Sequence, residues 1–500
     1  MTGGKSTLKQ RLDVLVVGAG PTGLAAALDL VRLGLTVRLI DTKAGPSRLS
    51  KALVLHARTM EVFESMGVSE AMEAASLPFV ALNARPLPFL PRIRIDLAGS
   101  KWPDTRFPGW RSLPQDRTEK VLQDALENRG QEVEWHTRLV DLSVSDDGVE
   151  AQLETPTGTE CVEARWLLGC DGGHGITRRL VGIDRPLADL GACFLLADVH
   201  ADAALPQDEG RAVAAREGVT LVVPMPRRGS FRLILHVPAN TGEPQDPAWY
   251  DALLRRRTGV NFHLKDVSWV SLFTLRSGVA ERLRSGPVFL LGDAAHLQSP
   301  VGGQGLNMGV QDAHNLAWKL AHVHRGWASP ELLDSYEEER LRIARSVVRT
   351  TSLATRLLAL RLPPLWLARG LVASVILRIP WVQRRFGPLL GLPDHRYQPG
   401  IAVSQHRALG PFRPGARVPN LRFPDATSLH DHLHRERQTV FASEPAAGNE
   451  DHGVPVPAAT WEALGLPATS QVRVRPDRIV AAAHAGLGGA VLGSVHSPGP

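Results

Sequence analysis

The stretch DVLVVGAGPTGLAAALDLVRLGLTVRLID, Asp13 to Asp41, decides the fold. Asp13–Val17 is a short β-branched apolar run and predicts a strand. Gly18-Ala19-Gly20-Pro21-Thr22-Gly23 follows, and Leu24 to Leu33 repeats with helical periodicity. Thr36 to Ile40 predicts a second strand, ended by Asp41. The glycines stand where a dinucleotide-binding turn needs them. Gly18 makes the tight turn, Gly20 admits a pyrophosphate close to the backbone, and Gly23 lets helix and strand pack. The helix N-terminus then faces the phosphates. Asp41 is placed to accept ribose hydroxyls, and its charge would repel a 2′-phosphate. An α/β domain holding an adenine dinucleotide follows; this unit alone does not choose between NAD and FAD.

Working outward, two more strands end in an acid and glycines. Trp166–Leu168 runs into Gly169-Cys170-Asp171-Gly172-Gly173, and Val288–Leu291 into Gly292-Asp293. After the latter come Pro300, Gly302, Gly303 and Gly305, then Asn307 at the start of an apolar-periodic helix. Strand C-terminal ends of a doubly wound sheet share one edge, where ligands bind. Gly18, Asp171 and Asp293 are therefore expected to converge. The backbone N–H groups from Gly302 to Asn307 suit an electron-rich ligand. Lys51 and Arg58, on a loop and helix beyond Asp41, can reach a diphosphate. Gln115 is a polar side chain just before a helix expected to start near Arg117.

Composition is that of an ordinary globular protein: 500 residues, 43% hydrophobic, 22% charged, net charge +6. No basic run interleaves with aromatics, so nucleic acid is not an expected partner. The three cysteines, Cys161, Cys170 and Cys193, form no metal spacing and suit a reduced, cytoplasmic compartment. Met1–Leu12 lacks the apolar core of a signal peptide. The apolar run Leu365–Val382 is interrupted by Arg369 and Arg378, so stable membrane insertion is not expected. Gly4-Lys5-Ser6-Thr7 lacks the earlier glycine and strand of a phosphate-binding loop. Gly486–Val491 fails the dinucleotide pattern at Val491.

Residues 184–284 carry alternating runs that predict a mostly antiparallel sheet, and the Pro-rich segment 82–110 is expected to join it. Residues 10–81, 111–183 and 285–345 then form the discontinuous cofactor domain. Residues 346–399 read as a helical connector and 400–500 as a small separate domain. His430, His432 and His434 are expected to spread over a helix surface, so no metal site is assigned. His56, His236 and His296 read as structural histidines. No catalytic base stands out, and Tyr250, Tyr336 and Tyr397 sit in no motif.

GAGPTG at Gly18, CDG at Cys170 and GDAAHLQSPVGGQGLNMGVQDAHNLAWKL at Gly292 together resemble the three fingerprints of the FAD-dependent aromatic hydroxylases, the single-component flavoprotein monooxygenases. The resemblance runs from about Asp13 to Leu320. It implies a Rossmann-like FAD-binding domain, an inserted β-sheet substrate domain, a helical connector and a thioredoxin-like C-terminal domain, here without cysteines. It further implies FAD as cofactor, NAD(P)H and O2 as co-substrates, and oxygen transfer to an aromatic or polyketide-like molecule through a C4a-hydroperoxyflavin. Gly18, Gly20, Pro21, Thr22, Gly23 and Asp41 would hold the ADP half, with Lys51 and Arg58 beside the diphosphate. Gln115 resembles an FAD-contacting glutamine. Gly292 and Asp293 would hold the ribitol, and Pro300, Gly303, Gly305, Leu306 and Asn307 would surround the pyrimidine edge. Asp171 would sit in a turn linked to FAD and NAD(P)H, and the Pro300 backbone would help activate a phenol. Three positions depart from the pattern: Lys51 and Gly278 where arginine is common, and Gly175 where serine is usual. Epoxidation, Baeyer–Villiger insertion, reduction or non-catalytic flavin binding are the alternative readings; monomer and homodimer both suit the sequence.

Overall fold

The computed structural model describes residues 11–47, 52–99, 104–202, 206–359, 362–390, 396–422, 427–443 and 451–485. Lys51, the Gly4–Thr7 tetrapeptide and the Gly486–Val491 stretch lie outside them.

The predicted strand–helix–strand unit forms as Leu12–Val17, Pro21–Arg32 and Val37–Ile40. Its strands belong to a sheet ordered Arg284–Ser285, Val288–Leu290, Gly158–Gly169, Leu12–Val17, Val37–Ile40, Val133–Glu134. All neighbours along this path are parallel except the first pair. Parallel strands need cover on both faces, which is why their sequences are almost wholly apolar. Val14 and Val16 pack under the helices Pro21–Arg32 and Gln304–His324; Leu15 and Val17 face the other way, onto Leu139, Ala151 and Leu153. Those last residues belong to an antiparallel ribbon that pairs with the first half of Gly158–Gly169. That strand is therefore much longer than its apolar core, Trp166–Leu168, predicts.

The register fixes the strand ends. Val17 lies opposite Gly169, and Gly169 opposite Leu290. The three glycine-bearing ends thus finish side by side.

A second sheet runs His296–Leu297, Leu264–Val279, Ala188–Ala201, Ser230–Val237, Gly218–Pro224, Glu209–Ala215, Ala81–Arg85, Ile93–Asp96. It is antiparallel apart from one parallel pair, Glu209–Ala215 with Ala81–Arg85. From the Pro-rich stretch before Trp110, Ala81–Arg85 and Ile93–Asp96 are strands of it. Trp110–Ser112 instead pairs with Val54–His56 and Leu77–Phe79 in a small separate sheet. One face of the large sheet packs on the helix Pro247–Thr258 through Leu195, Leu233, Leu235 and Tyr250. At Gly278 a β-carbon would overlap the Pro186 carbonyl, so the arginine common in the family pattern has no room here.

The helix Gln304–His324 starts three residues before Asn307, where the sequence places the start of an apolar-periodic helix. Asp334–Ala359 runs unbroken through the expected boundary at residue 345. Pro363–Ile376 and Pro380–Leu390 follow, and no single described helix is long and apolar enough to cross a membrane. The C-terminal unit holds a sheet ordered Asp451–Pro455, Gln438–Ala442, Ser470–Val474, Val480–Ala485, its first pair parallel and the others antiparallel. The three histidines do not ride on a helix surface. Only one 3-10 turn, Leu429–His432, forms, and each ring is used locally. His430 bonds the Val418 carbonyl, His432 meets Thr427, and His434 accepts from the Glu436 and Arg437 amides.

Candidate functional site

The glycines of the first loop divide by cause. Gly18 has φ +104° and a β-carbon there would sit 2.5 Å from the Cys170 carbonyl oxygen; at Gly23 it would overlap the Gly18 carbonyl. Both are glycine because protein lies against them. Gly20 differs. Its φ of −79° suits any residue, and a β-carbon would meet nothing within 4 Å among the described residues. Its missing side chain leaves open space directly over the N-terminus of Pro21–Arg32, an end that no side chain caps. That is a cradle for an anion with the helix N–H groups facing it.

Thr22 joins this loop to the third strand end: a β-carbon on Gly292 would sit 2.6 Å from its hydroxyl. Asp41 is buried and accepts from the Ala19 amide at 2.7 Å and the Lys43 amide at 2.9 Å. Each carboxylate oxygen keeps a lone pair for a ribose hydroxyl. Gln115 opens its helix instead of preceding it. Its Oε1 accepts from the Ala52 amide at 3.2 Å and its Nε2 donates to Glu119 at 2.8 Å, so it pins the segment that begins at Ala52. Arg58 is corrected by the structure. It is buried, donates to Glu61 at 3.2 Å and bonds the Asp477 carbonyl. Its charge joins the cofactor domain to the C-terminal unit and is committed there.

At the third strand end Gly292 has φ +57° and donates to Asp312 at 3.0 Å. Asp312 is enclosed and also bonds His296 at 2.7 Å and Arg340 at 2.6 Å. Burial alone would raise its pKa, but the charges of Arg340 and His296 prevail and hold the carboxyl below its usual range. Asp293 is exposed between buried neighbours. Arg185 donates to the Asp293 carbonyl and to the Gly173 carbonyl, tying the second strand end to the third. Asp171 serves as a cap: one oxygen accepts from the Thr177 amide and hydroxyl, each at 2.8 Å, and the other is buried without a hydrogen-bond partner among the described residues. A β-carbon at Gly175 would collide with that carboxylate, which accounts for the missing serine.

The loop between these parts is bent by Gly302 and Gly303, both at positive φ, and closed by the Gly303 amide donating to the Pro300 carbonyl at 2.9 Å. Gly303 then starts the helix Gln304–His324, again without a side-chain cap. Asn307 is fully buried. It donates to Val54 O at 2.8 Å and Gly303 O at 2.7 Å and accepts from the His56 amide at 3.0 Å. Its side chain therefore braces the loop, and only its backbone can face a ligand. A β-carbon at Gly305 would touch the Gln298 side-chain amide at 3.6 Å, an ordinary contact, and Leu306 is buried beside it.

Around this loop buried polar atoms lack partners among the described residues: Gln298 Nε2 and Trp110 Nε1. His56 stacks on Trp110 at 5.2 Å. Burial pushes its imidazole down to about 3, offset only in part by the nearby Gly302 backbone, so the ring is neutral. Folded proteins rarely leave buried amide and indole N–H groups unpaired. Two uncapped helix ends, an unfilled glycine and these orphaned atoms fit a flavin dinucleotide laid along the three strand ends.

On the other face of the large sheet, Phe194, Ile234 and Phe273 pack in one cluster with Ala359 of the helix Asp334–Ala359. The sheet's register sets three cross-strand rows: Phe194, His236 and Phe273; Leu196, Ile234 and Ser271; Asp198, Arg232 and Trp269. The first two are mainly apolar. The third is a buried ion pair, Arg232 to Asp198 at 2.6 Å, with the guanidinium over Trp269 at 5.1 Å. Arg232 also donates to the Ala52 carbonyl at 3.2 Å, joining the sheet to the cofactor segment. Sequence reading missed Arg185, Arg232, Asp312 and Arg340. All four act through contacts between distant segments, and no local motif marks them.

The described geometry agrees with what the chain is similar to. A family model described as "FAD binding domain" matches residues 11–351. A 6-methylpretetramide 4-monooxygenase of Streptomyces rimosus is 36% identical over 412 residues, covering 81% of this chain and 71% of the relative. The solved anhydrotetracycline hydroxylase of Streptomyces rimosus superposes with a TM-score of 0.76 at 32% identity, over 95% of this chain and 96% of that one. An aklavinone-11 hydroxylase solved with FAD and aklavinone gives 0.77 at 25% identity, over 98% and 97%.

Proposed function

The chain belongs to the FAD-dependent aromatic hydroxylase family, and on that premise we propose that it hydroxylates an aromatic, polyketide-like molecule with NAD(P)H and O2. The observation that carries the reading is the meeting of three glycine-bearing strand ends at one edge of the parallel sheet. FAD, once bound and reduced, supplies the oxygen-activating chemistry. The protein contributes binding, orientation and exclusion of water.

Gly20 and the helix end at Pro21 would receive the diphosphate, Asp41 the ribose and Asp293 the ribitol. The uncapped end of Gln304–His324 would place N–H groups and positive dipole charge at the pyrimidine edge, where reduction adds negative charge. The bracing of Asn307 and of the Gly303–Pro300 turn preorganises those groups. The rows from Phe194 to Ser271 would keep water from the reacting centre. The Pro300 carbonyl accepts one hydrogen bond within its turn and has a second lone pair, which would be available to a substrate hydroxyl. The names of the relatives support a fused polycyclic aromatic substrate. The C-terminal sheet, with its parallel pair and following antiparallel hairpin, supports a thioredoxin-like unit. With no cysteine after Cys193 it would serve structure, not disulfide exchange.

The test is to measure NAD(P)H oxidation and oxygen uptake by the flavin-loaded protein across phenolic and polycyclic compounds, with product mass. Substrate-stimulated oxidation and a product heavier by one oxygen atom are expected. A yellow protein whose NAD(P)H oxidation no such compound stimulates would overturn the reading in favour of ligand or flavin binding without turnover.

A further inference from the structure

Eleven of the fifteen exposed large apolar side chains among the described residues lie between Leu353 and Trp381. They form the outer side of the helices that follow the cofactor domain. The inner side of Pro363–Ile376 is well seated. Gly370 is buried against Leu87, where a β-carbon would overlap it, and Trp366 donates to the Ala214 carbonyl at 3.1 Å. The outer side is also apolar, with Leu371, Val372, Val375 and Ile376 exposed, Val375 by 65%. A helix apolar all round is normally enclosed, and an open patch of this kind marks a docking surface.

Charge identifies what docks. Asp and Glu make up 51 of the 500 residues, yet none falls between Arg340 and Pro393, where there are nine arginines. Arg356, Arg378, Arg384 and Arg385 are exposed around the patch. Arg385 lies over the Trp381 ring at 5.0 Å, and that ring is itself 63% exposed. A second copy of this chain would set arginine against arginine. A broad apolar face rimmed by arginines and an exposed tryptophan matches the interface of an anionic bilayer. The helices Pro363–Ile376 and Pro380–Phe386 meet at 92°. We propose that this helical pair docks the protein on the surface of a bilayer carrying anionic headgroups, without crossing it.

On the inner side, Leu377 and Phe386 pack with Leu82, Leu221 and Met225 against the edge of the large sheet. The docking face is thus one layer of side chains from the sheet that flanks the flavin site. Docking itself does not rest on the hydroxylase reading.

The experiment sediments the full-length, flavin-loaded protein with vesicles of phosphatidylcholine alone and of phosphatidylcholine mixed with phosphatidylglycerol. Binding is expected to the mixed vesicles, weakening as salt shortens the screening length. R384Q/R385Q removes two surface charges, each worth about fivefold in binding, so it is expected to bind roughly twenty-five-fold more weakly. V372D/V375D is expected to abolish binding. Both variants change exposed positions and are expected to keep their flavin spectrum. Failure of the wild type to bind the mixed vesicles, equal binding to both vesicle types, or undiminished binding by V372D/V375D would each overturn the proposal. A dimer that V372D/V375D splits, with no vesicle binding, would overturn it in favour of a second copy.

Discussion

Gly20→Val separates the cofactor's requirement for glycine from the fold's. Gly20 has an ordinary φ, and its β-carbon position is empty to 4 Å among the described residues. The variant protein should therefore fold. Valine is a poorer helix N-cap than glycine, which costs up to about 1 kcal/mol, partly offset by the lower entropy of its unfolded chain. The flavin should suffer far more. A side chain there stands where the diphosphate must approach the helix N–H groups. Losing two charge-assisted hydrogen bonds at about 1.5–3 kcal/mol each weakens binding by ~3–6 kcal/mol, or roughly a hundredfold to ten-thousandfold. The assay is the flavin-to-protein ratio after gel filtration, beside thermal unfolding of the apoprotein. Gly23→Ala is the contrast. Its β-carbon overlaps the Gly18 carbonyl, so the apoprotein itself should lose stability. A Gly20→Val protein that retains one flavin per chain would refute the placement of the diphosphate. An apoprotein that no longer folds would show that Gly20 serves the fold after all.

Three other outcomes follow from the same geometry. Asp293→Ala alters an exposed side chain, so it should lower flavin retention sharply at nearly unchanged apoprotein stability; flavin content equal to wild type would remove Asp293 from the ribitol site. Ser271→Phe fills the middle row of the sheet face, so it should raise KM for bulky substrates without altering flavin content, and unchanged kinetics on every substrate would place the pocket elsewhere. Stability should fall in two stages as pH drops, measured by denaturant unfolding from pH 8 to pH 2. Burial holds His56 down at about 3 and His322 at about 4; the unfolded chain protonates first, so their contribution is complete above about pH 6.5 and declines below it. Asp29 and Glu339 are held at about 2, because neighbouring cations outweigh their burial. Their contribution is complete above the ordinary carboxylate range and is lost from about pH 4.5 toward 2. Flat stability between pH 7 and 4.5 would contradict the buried neutral histidines.

Particular residues show how far the sequence could be read. Gly18, Gly23, Asp41 and the Gly292–Asn307 segment act through turns, helix ends and strand ends. Those obey local rules, so spacing revealed them. Arg58 obeyed the same spacing, but its guanidinium found Glu61 and the Asp477 carbonyl, a partner supplied by the far end of the chain. Trp110 read as part of the inserted sheet, yet it pairs with Val54–His56 and gives His56 its stacking partner. Arg185, Arg232 and Arg340 had no signal, since an isolated arginine looks like any solvated surface charge until its carboxylate or carbonyl partner is in place.

The sequence by itself determined the dinucleotide unit, the other two strand ends and the antiparallel sheet, because each depends on backbone conformation over a few residues; FAD as the cofactor came from the resemblance of three segments to a known family. The tertiary structure alone decided which glycine is open to a ligand, which buried polar atoms lack partners, and which helical face is left apolar and exposed beside arginines. Those properties depend on what lies across a gap, and a gap is made by segments hundreds of residues apart that only the packed sheets bring together.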